Sequence, residues 1–118
     1  MKALTKKQHE QRITNDKCVL AMRTAWNEVL VSCNCDLRLA KSKKLRSCNA
    51  KVYETDHWYI LQSYDTPVAC ISKYGFEIYD ALRIEYGYTA TSAQHIAKFI
   101  HDYTPYPYNS PRYTAREI

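Results

Sequence analysis

Residues 88–100, with the sequence YTATSAQHIAKFI, predict the helix around which the rest of the fold is built. We expect Thr91 to be its N-cap, because the Gln94 side chain three residues later can bond back to the Thr91 backbone N–H in a capping box. The apolar residues that follow recur at helical spacing and form one stripe, with Phe99 beside it, at Ala93, Ile96, Ala97, Ile100 and Tyr103. The pattern therefore predicts a helix over 92–103 that lies with this stripe on another layer.

Upstream of this helix, the apolar spacing changes to the alternation that is typical of strands. Candidate strands cover residues 51–55, 58–63, 68–72 and 76–79, and a further half-buried strand covers 82–86. The connections between them are short, which favours an antiparallel meander of four to five strands. We expect the capped helix to pack on one face of this sheet.

The N-terminal part of the chain predicts a second helix. It begins near Asn15 or Asp16 and ends close to Ser32, and its apolar stripe consists of Val19, Met22, Trp26, Val29 and Leu30. Thr5 and Gln8 have the spacing of another capping box, so the polar residues between them and this helix form either a short helix or a frayed arm.

The predicted fold is α+β and has three parts. Residues 1–49 form a basic N-terminal helical region, residues 50–103 form the sheet with the capped helix, and residues 104–118 form an extended tail rich in proline and tyrosine. Three prolines between positions 105 and 111 exclude a helix there. Residues 36–46, near the end of the first part, are either a weaker helix or a basic loop.

Charge is distributed unevenly along the chain. Residues 1–51 hold 12 of the 17 basic residues and 4 of the 12 acidic ones, so a polyanion would meet the N-terminal part. The densest cluster is Arg38, Lys41, Lys43, Lys44 and Arg46. It is a candidate nucleic-acid contact, because clustered cations release counterions when they bind phosphate. The alternative is ordinary solvated charge, since no recognised nucleic-acid-binding motif accompanies the cluster.

The composition argues against several classes of enzyme. The chain has only two glycines, which excludes a glycine-rich phosphate loop or dinucleotide turn, and we expect no cofactor. Cys70 and His95 could in principle form a nucleophile pair, but no residue that would orient the histidine can be identified. We therefore expect no catalytic residue, and we expect His95 to bond a backbone carbonyl of the adjoining layer.

The five cysteines predict no metal site. Cys33 and Cys35 are separated by one residue and Cys48 lies alone, whereas structural zinc uses paired knuckles with two to four intervening residues. Cys18 and Cys70 lie within apolar runs, so we expect both in the core. An odd number of cysteines fits a reducing compartment. No apolar run approaches the ~18 residues of a membrane span, so we expect a cytoplasmic protein without membrane contact.

Two segments of the chain resemble a family of small uncharacterised proteins that phages, prophages and mobile elements of gut-type bacteria carry. The first segment is SYDTPVA at residues 63–69, and the second is YTATSAQHIAKFI at residues 88–100. The residues that match the two motifs include Ser63, Tyr64, Thr66, Thr91, Gln94, His95 and Phe99. The resemblance covers residues 50–103 and implies an accessory protein with a domain of unknown function. It implies no catalytic role.

The expected function is therefore binding rather than catalysis. The tyrosines of residues 50–103 come in a strand-rich stretch, where about half of the side chains should be exposed, and exposed tyrosine is typical of protein interfaces. We expect a non-enzymatic accessory protein that binds a host macromolecule, in the first place a protein. Nucleic acid bound through residues 38–46 is the alternative. The identity of the partner and the oligomeric state stay open.

Overall fold

Nine regular elements make up the fold, in a computed structural model that describes residues 4–46, 49–85, 90–105 and 113–116 of the chain. The helices are α1 (Lys6–Ser32), α2 (Leu82–Glu85) and α3 (Ala90–Tyr103). The strands are β1 (Ser42–Lys44), β2 (Ala50–Glu54), β3 (Trp58–Ser63), β4 (Thr66–Ser72), β5 (Ile78–Asp80) and β6 (Tyr113–Thr114). A short 3-10 turn, Leu37–Leu39, precedes β1.

All six strands belong to one sheet, in the order β1-β2-β3-β4-β5-β6. The first five pair antiparallel with their neighbours in sequence, which confirms the predicted α+β class and the meander. The sixth strand lies parallel to β5 and adds a short pairing that the sequence did not predict. It comes from the extended tail, of which residues 106–112, 117 and 118 lie outside the described part of the chain.

The two faces of the sheet are covered by different helices, because neighbouring strand residues point to opposite sides. Helix α3 packs Ile96, Phe99 and Ile100 on one face, as the apolar stripe predicted. The strand residues beneath it include Val52, Leu61, Ala69, Ile71 and Ile78. Helix α1 covers the other face, with Cys18, Ala21, Met22, Ala25 and Val29 packed against Tyr53, Ile60 and Cys70. The core positions predicted for Cys18 and Cys70 are confirmed.

Helix α1 is one continuous helix of 27 residues. Its start is the capping box predicted at Thr5, where the Thr5 hydroxyl accepts the Gln8 N–H at 3.1 Å and Gln8 Oε1 accepts the Thr5 N–H at 2.9 Å. Its end at Ser32 is also as predicted. The start predicted near Asn15 or Asp16 is wrong, because the Thr5 capping box begins the helix and the next turns bond the backbone of Thr114 and Arg116 through Gln11 and Asn15.

Three other local predictions are wrong. Thr91 is not the N-cap of α3, because the helix already includes Ala90, and residues 86–89 lie outside the described part. The strand predicted at 82–86 is the helical turn α2 as far as residue 85, which begins where the Asp80 carboxylate accepts the Leu82 N–H at 3.0 Å. Residues 36–46 are neither a third helix nor a loop throughout, since they contain a 3-10 turn and edge strand β1.

Candidate functional site

The two segments that carry the family resemblance meet inside the fold. The Ser63 hydroxyl, at the end of β3, lies 2.9 Å from His95 Nδ1 and 2.9 Å from the Ser92 hydroxyl, both on α3. All three side chains are buried, with Ser63 and Ser92 each 1% exposed and His95 4% exposed. His95 therefore bonds a serine hydroxyl and not the backbone carbonyl that we expected.

This Ser63–Ser92–His95 network holds a neutral imidazole. Burial lowers the pKa of His95, and the nearby Lys98 ammonium lowers it further, so the ring is uncharged at neutral pH. The Ser63 hydroxyl bonds both His95 and Ser92, so these buried polar groups, which would otherwise be costly to bury, are satisfied. Neither serine is open to a substrate, so this arrangement anchors the β3–β4 hairpin to α3.

Tyr64, directly after Ser63, is the exposed part of the same assembly. It is 49% exposed, and its backbone has a φ of +55°, in the left-handed region that glycine favours. It is the first of two residues, Tyr64 and Asp65, between the paired ends of β3 and β4. Such a conformation costs a bulky side chain about 1–3 kcal/mol and persists only where surrounding structure enforces it.

Two contacts hold Tyr64 in this conformation. Its N–H donates to the Asn49 carbonyl at 2.9 Å, and its ring centroid lies 5.9 Å from that of His95. One side of the Tyr64 ring therefore contacts His95 of the buried network, and the other side faces solvent. Strained residues of this kind occur preferentially at functional sites. Asn34, Cys35, Arg46 and Phe76 also have a positive φ, and Tyr64 is the candidate among these five because its ring contacts the buried network.

Tyr64 lies at the end of an open groove of about 450 Å³, which we call the Tyr64 groove. Its lining residues are Lys44, Asn49, Ala50, Lys51, Gln62, Tyr64 and Asp65. Lys44 of β1 and Lys51 of β2 are directly opposite each other in the strand register. Like charges in this position repel, and neither ammonium forms an ion pair with a carboxylate of the described residues. The lining also includes one carboxylate, that of Asp65.

The basic cluster predicted from the sequence is partly neutralised. Three of its five residues form ion pairs, Arg38 with Asp36 at 2.9 Å, Lys41 with Glu54 at 3.4 Å and Arg46 with Asp102 at 2.6 Å. The Arg46 guanidinium lowers the pKa of Asp102 from 3.8 to about 2. Lys43 and Lys44 lie on the exposed edge strand β1. The structure thus brings the five residues to one edge of the sheet, but it does not leave them as five free cations.

The remaining motif residues have structural positions. Phe99 is fully buried in the core, Thr66 begins β4 and is half-buried, and Thr91 and Gln94 are exposed on α3. The sequence reasoning missed Ser92 as a partner of Ser63. The available signal was its spacing of three residues from His95, which places both on the same side of a helix.

The cysteines do not converge on a metal site in the described part of the chain, where no group of three or more candidate ligands comes together. Cys33 is buried and Cys35 is exposed, while Cys48 lies outside the described residues. Burial raises the pKa of Cys18 to about 11 and raises that of Cys70 as well, so neither is a reactive thiolate. As for membranes, the helices of the described residues are too polar or too short to cross one.

Comparison with known proteins gives one result. The sequence model of a family described as a family of unknown function, DUF8033, matches residues 35–113, about two thirds of the chain. The matched residues include β1 to β5, α3 and all residues of the Tyr64 groove. No curated protein and no solved structure matches the chain.

Proposed function

The chain belongs to this family of unknown function, and from its geometry we propose that it acts by binding a protein of a bacterial host, without catalysis. We propose further that it is an accessory protein of a phage or mobile element and works in the host cytoplasm. The resemblance of segments 63–69 and 88–100 supports that origin. The observation that carries the binding proposal is the strained, exposed Tyr64 above the buried Ser63–Ser92–His95 network.

Tyr64 has the properties of an interface anchor. A tyrosine offers a large ring and one hydroxyl, and it loses little conformational entropy when it is fixed. Here the backbone and the His95 contact already hold the ring, so a partner would not have to order it. The groove beside it has polar walls and room for partner side chains. These features favour a rigid recognition site on the surface of the domain.

The same geometry argues against catalysis by the Ser63–His95 pair. Ser63 is buried beneath Tyr64, and a nucleophile must reach the reacting carbonyl. Burial keeps His95 neutral, and its Nδ1 is occupied by Ser63. Opening this pair to a substrate would require the hairpin to separate from α3.

Nucleic acid is the alternative partner, and Lys43, Lys44 and Lys51 are the observations that favour it. Exposed lysines beside a tyrosine are suited to an unpaired strand, because lysine contacts phosphate and tyrosine stacks on a base. However, Asp36, Glu54 and Asp102 already neutralise three cations of the cluster. The charge left for phosphate is therefore small, which makes a protein the better candidate.

Site-specific photo-crosslinking tests the proposal. A benzophenone amino acid replaces Tyr64 in one variant and Tyr74 in a second, and each protein is illuminated in a lysate of gut bacteria with and without nuclease. Tyr74 is the matched control because it is also an exposed tyrosine in a hairpin turn, but at the opposite end of the sheet. We expect position 64 to give a discrete protein adduct that nuclease does not remove, and position 74 to give none.

Two results would contradict the proposal. Adducts of the same proteins at both positions would show that Tyr64 is no special site. An adduct at position 64 that nuclease destroys would support the nucleic-acid alternative. Circular dichroism of both variants confirms that each is folded before the comparison is made.

A further inference from the structure

We infer that the partner presents an extended segment with alternating acidic and apolar residues, which pairs with β1 as a seventh strand and places a carboxylate beside Lys44 and Lys51. This inference rests on the proposed function, because it names the chemistry that the Tyr64 groove would recognise.

Strand β1 is an edge of the sheet with backbone groups that point outward. Among the described strands it pairs with β2 alone, and all three of its residues are exposed. The Lys41 carbonyl accepts from Glu54 N–H at 3.0 Å, and the Leu45 N–H donates to the Ala50 carbonyl at 2.9 Å. In an antiparallel ladder the bonding direction alternates, so the backbone groups of Ser42 and Lys44 face away from β2. They are positioned to pair with another strand.

The charges on this edge select the partner strand. Lysines on an edge strand prevent two copies of a protein from pairing edge to edge, because the ammonium groups repel. Here Lys43 and Lys44 lie on the edge itself, and Lys51 lies directly opposite Lys44. Such an edge repels a second copy and attracts an acidic strand. A carboxylate beside Lys44 would also relieve the repulsion between Lys44 and Lys51.

The two faces of the sheet at β1 differ in a way that matches an alternating sequence. Lys44, Lys51 and Gln62 are consecutive partners across three strands and form a polar row in the lining of the Tyr64 groove. A second groove of about 410 Å³ has Val52, Tyr59 and Tyr103 as the less polar part of a lining that also includes Lys41, Ser42, Lys43 and Glu54. A strand that alternates acidic and apolar residues would place carboxylates on the first face and apolar groups on the second.

Fluorescence anisotropy with defined peptides tests this inference. The probe is a fluorescein-labelled octapeptide of alternating glutamate and valine. One control has the same composition in two blocks, and another carries N-methyl groups on alternate amides along one edge. We expect the alternating peptide to bind and each control peptide to bind about tenfold more weakly, because the first loses the match to two faces and the second loses the strand pairing.

The protein variants isolate the two lysines. Lys44→Gln with Lys51→Gln is expected to weaken binding of the alternating peptide about tenfold, since two ion pairs are lost. Lys6→Gln with Lys7→Gln removes the same charge at the start of α1 and is expected to leave binding unchanged. Lys6 and Lys7 lie in the half of α1 that bonds to β6. Strand β6 is the edge of the sheet opposite to β1.

Several outcomes would overturn the inference. The first is that the N-methylated peptide binds as tightly as the alternating peptide. The second is that both double variants lose the same affinity for the alternating peptide. The third is that single-stranded oligothymidine binds more tightly than the alternating peptide and that the Lys44 and Lys51 double variant abolishes this binding. The proposed function is tested separately. If position 64 crosslinks to a host protein and the alternating peptide does not bind, the inference fails and the proposed function stands. If position 64 gives no protein adduct either, both fail.

Discussion

The two edges of the sheet are finished in opposite ways. At the β6 edge, the Asn15 side chain of α1 accepts the Arg116 N–H at 2.9 Å and donates to the Arg116 carbonyl at 2.7 Å. Gln11 of the same helix donates to the Thr114 carbonyl at 3.0 Å. At the β1 edge, the outward backbone groups are flanked by exposed lysines. One edge is closed by amide side chains that bond its backbone as a neighbouring strand would, whereas at the other edge the described residues expose β1 and its lysines.

This difference separates stability from recognition. Asn15 is buried, and its bonds join a helix near the start of the described chain to the backbone of Arg116 near its end. Groups used in this way contribute to the free energy of folding and are not available to a partner. Lys44 and Lys51 differ from Asn15 in both respects. Their repulsion lowers the free energy of unfolding, and it makes an acidic ligand beside them favourable. We therefore expect mutations at the two edges to affect different measurements.

The largest effect is expected at the closed edge. Asn15→Ala removes both bonds to Arg116 and leaves a partly buried backbone segment unpaired, which should lower the free energy of unfolding by about 2 kcal/mol. Urea denaturation measures the change, and amide hydrogen exchange at Ala115 should become faster. Asn27→Ala, on the exposed side of the same helix, and Lys43→Ala at the open edge should each stay within about 0.5 kcal/mol of wild type. A loss at Asn27 equal to that at Asn15 would show that the effect is not specific to this edge.

A smaller, pH-dependent effect on stability is expected at the ion pair between Arg46, which follows β1, and Asp102 of α3. Asp102→Asn should cost at most about 1 kcal/mol at neutral pH, because the pair is partly exposed. The pKa of Asp102 is about 2 when folded and 3.8 otherwise, so its stabilisation is complete above pH 4 and is lost as the pH falls towards 2. The stability difference between variant and wild type should therefore shrink over that interval. Asn27→Ala, which removes no titratable group, serves as the control, and its difference from wild type should stay constant.

The smallest stability effect should have the opposite sign. Lys51→Glu replaces a like-charge pair with an opposite-charge pair across β1 and β2, which should raise the free energy of unfolding by about 0.2–1 kcal/mol. The same change should abolish binding of the alternating acidic peptide. Lys7→Glu, away from any strand pair, should change neither measurement. A variant that gained stability and kept full affinity would refute the division between the two edges.

The sequence predicted the elements whose apolar residues repeat at a clear period. Strand β3 has the predicted bounds, the helix α3 buries its predicted stripe, and the Thr5 capping box is present. These features depend on residues that are close together in the chain. The match to a family of unknown function agrees with the expected domain of unknown function, whereas the two motifs and a phage or mobile-element origin stay predictions.

The elements that the sequence did not predict depend on distant partners. Strand β1 has no apolar alternation, because it is an edge strand with every side chain exposed, and its structure comes from pairing with β2. At α2 the alternation of Leu82 and Ile84 favoured a strand, but the Asp80 carboxylate starts a helical turn instead. For the candidate site, the sequence identified Ser63, Tyr64 and His95 separately. Only the fold shows that Ser63 meets Ser92 and that Tyr64 is strained above them.

The bonds from Asn15 to Arg116 also determine the order in which parts of the sheet can form during synthesis on the ribosome. At about 5–20 residues per second, roughly 5–20 s pass between the synthesis of the two partners. During that time α1 can form locally, and it can contact β3 and β4 once they have emerged, but its Asn15 and Gln11 amides have no strand to bond. The closed edge is thus the last part of the sheet to be completed. A premature stop codon before residue 113 would release a protein that keeps β1 and its lysines but lacks β6. Strand β5 would then be the second edge of the sheet, without a strand or amide side chains to pair with it.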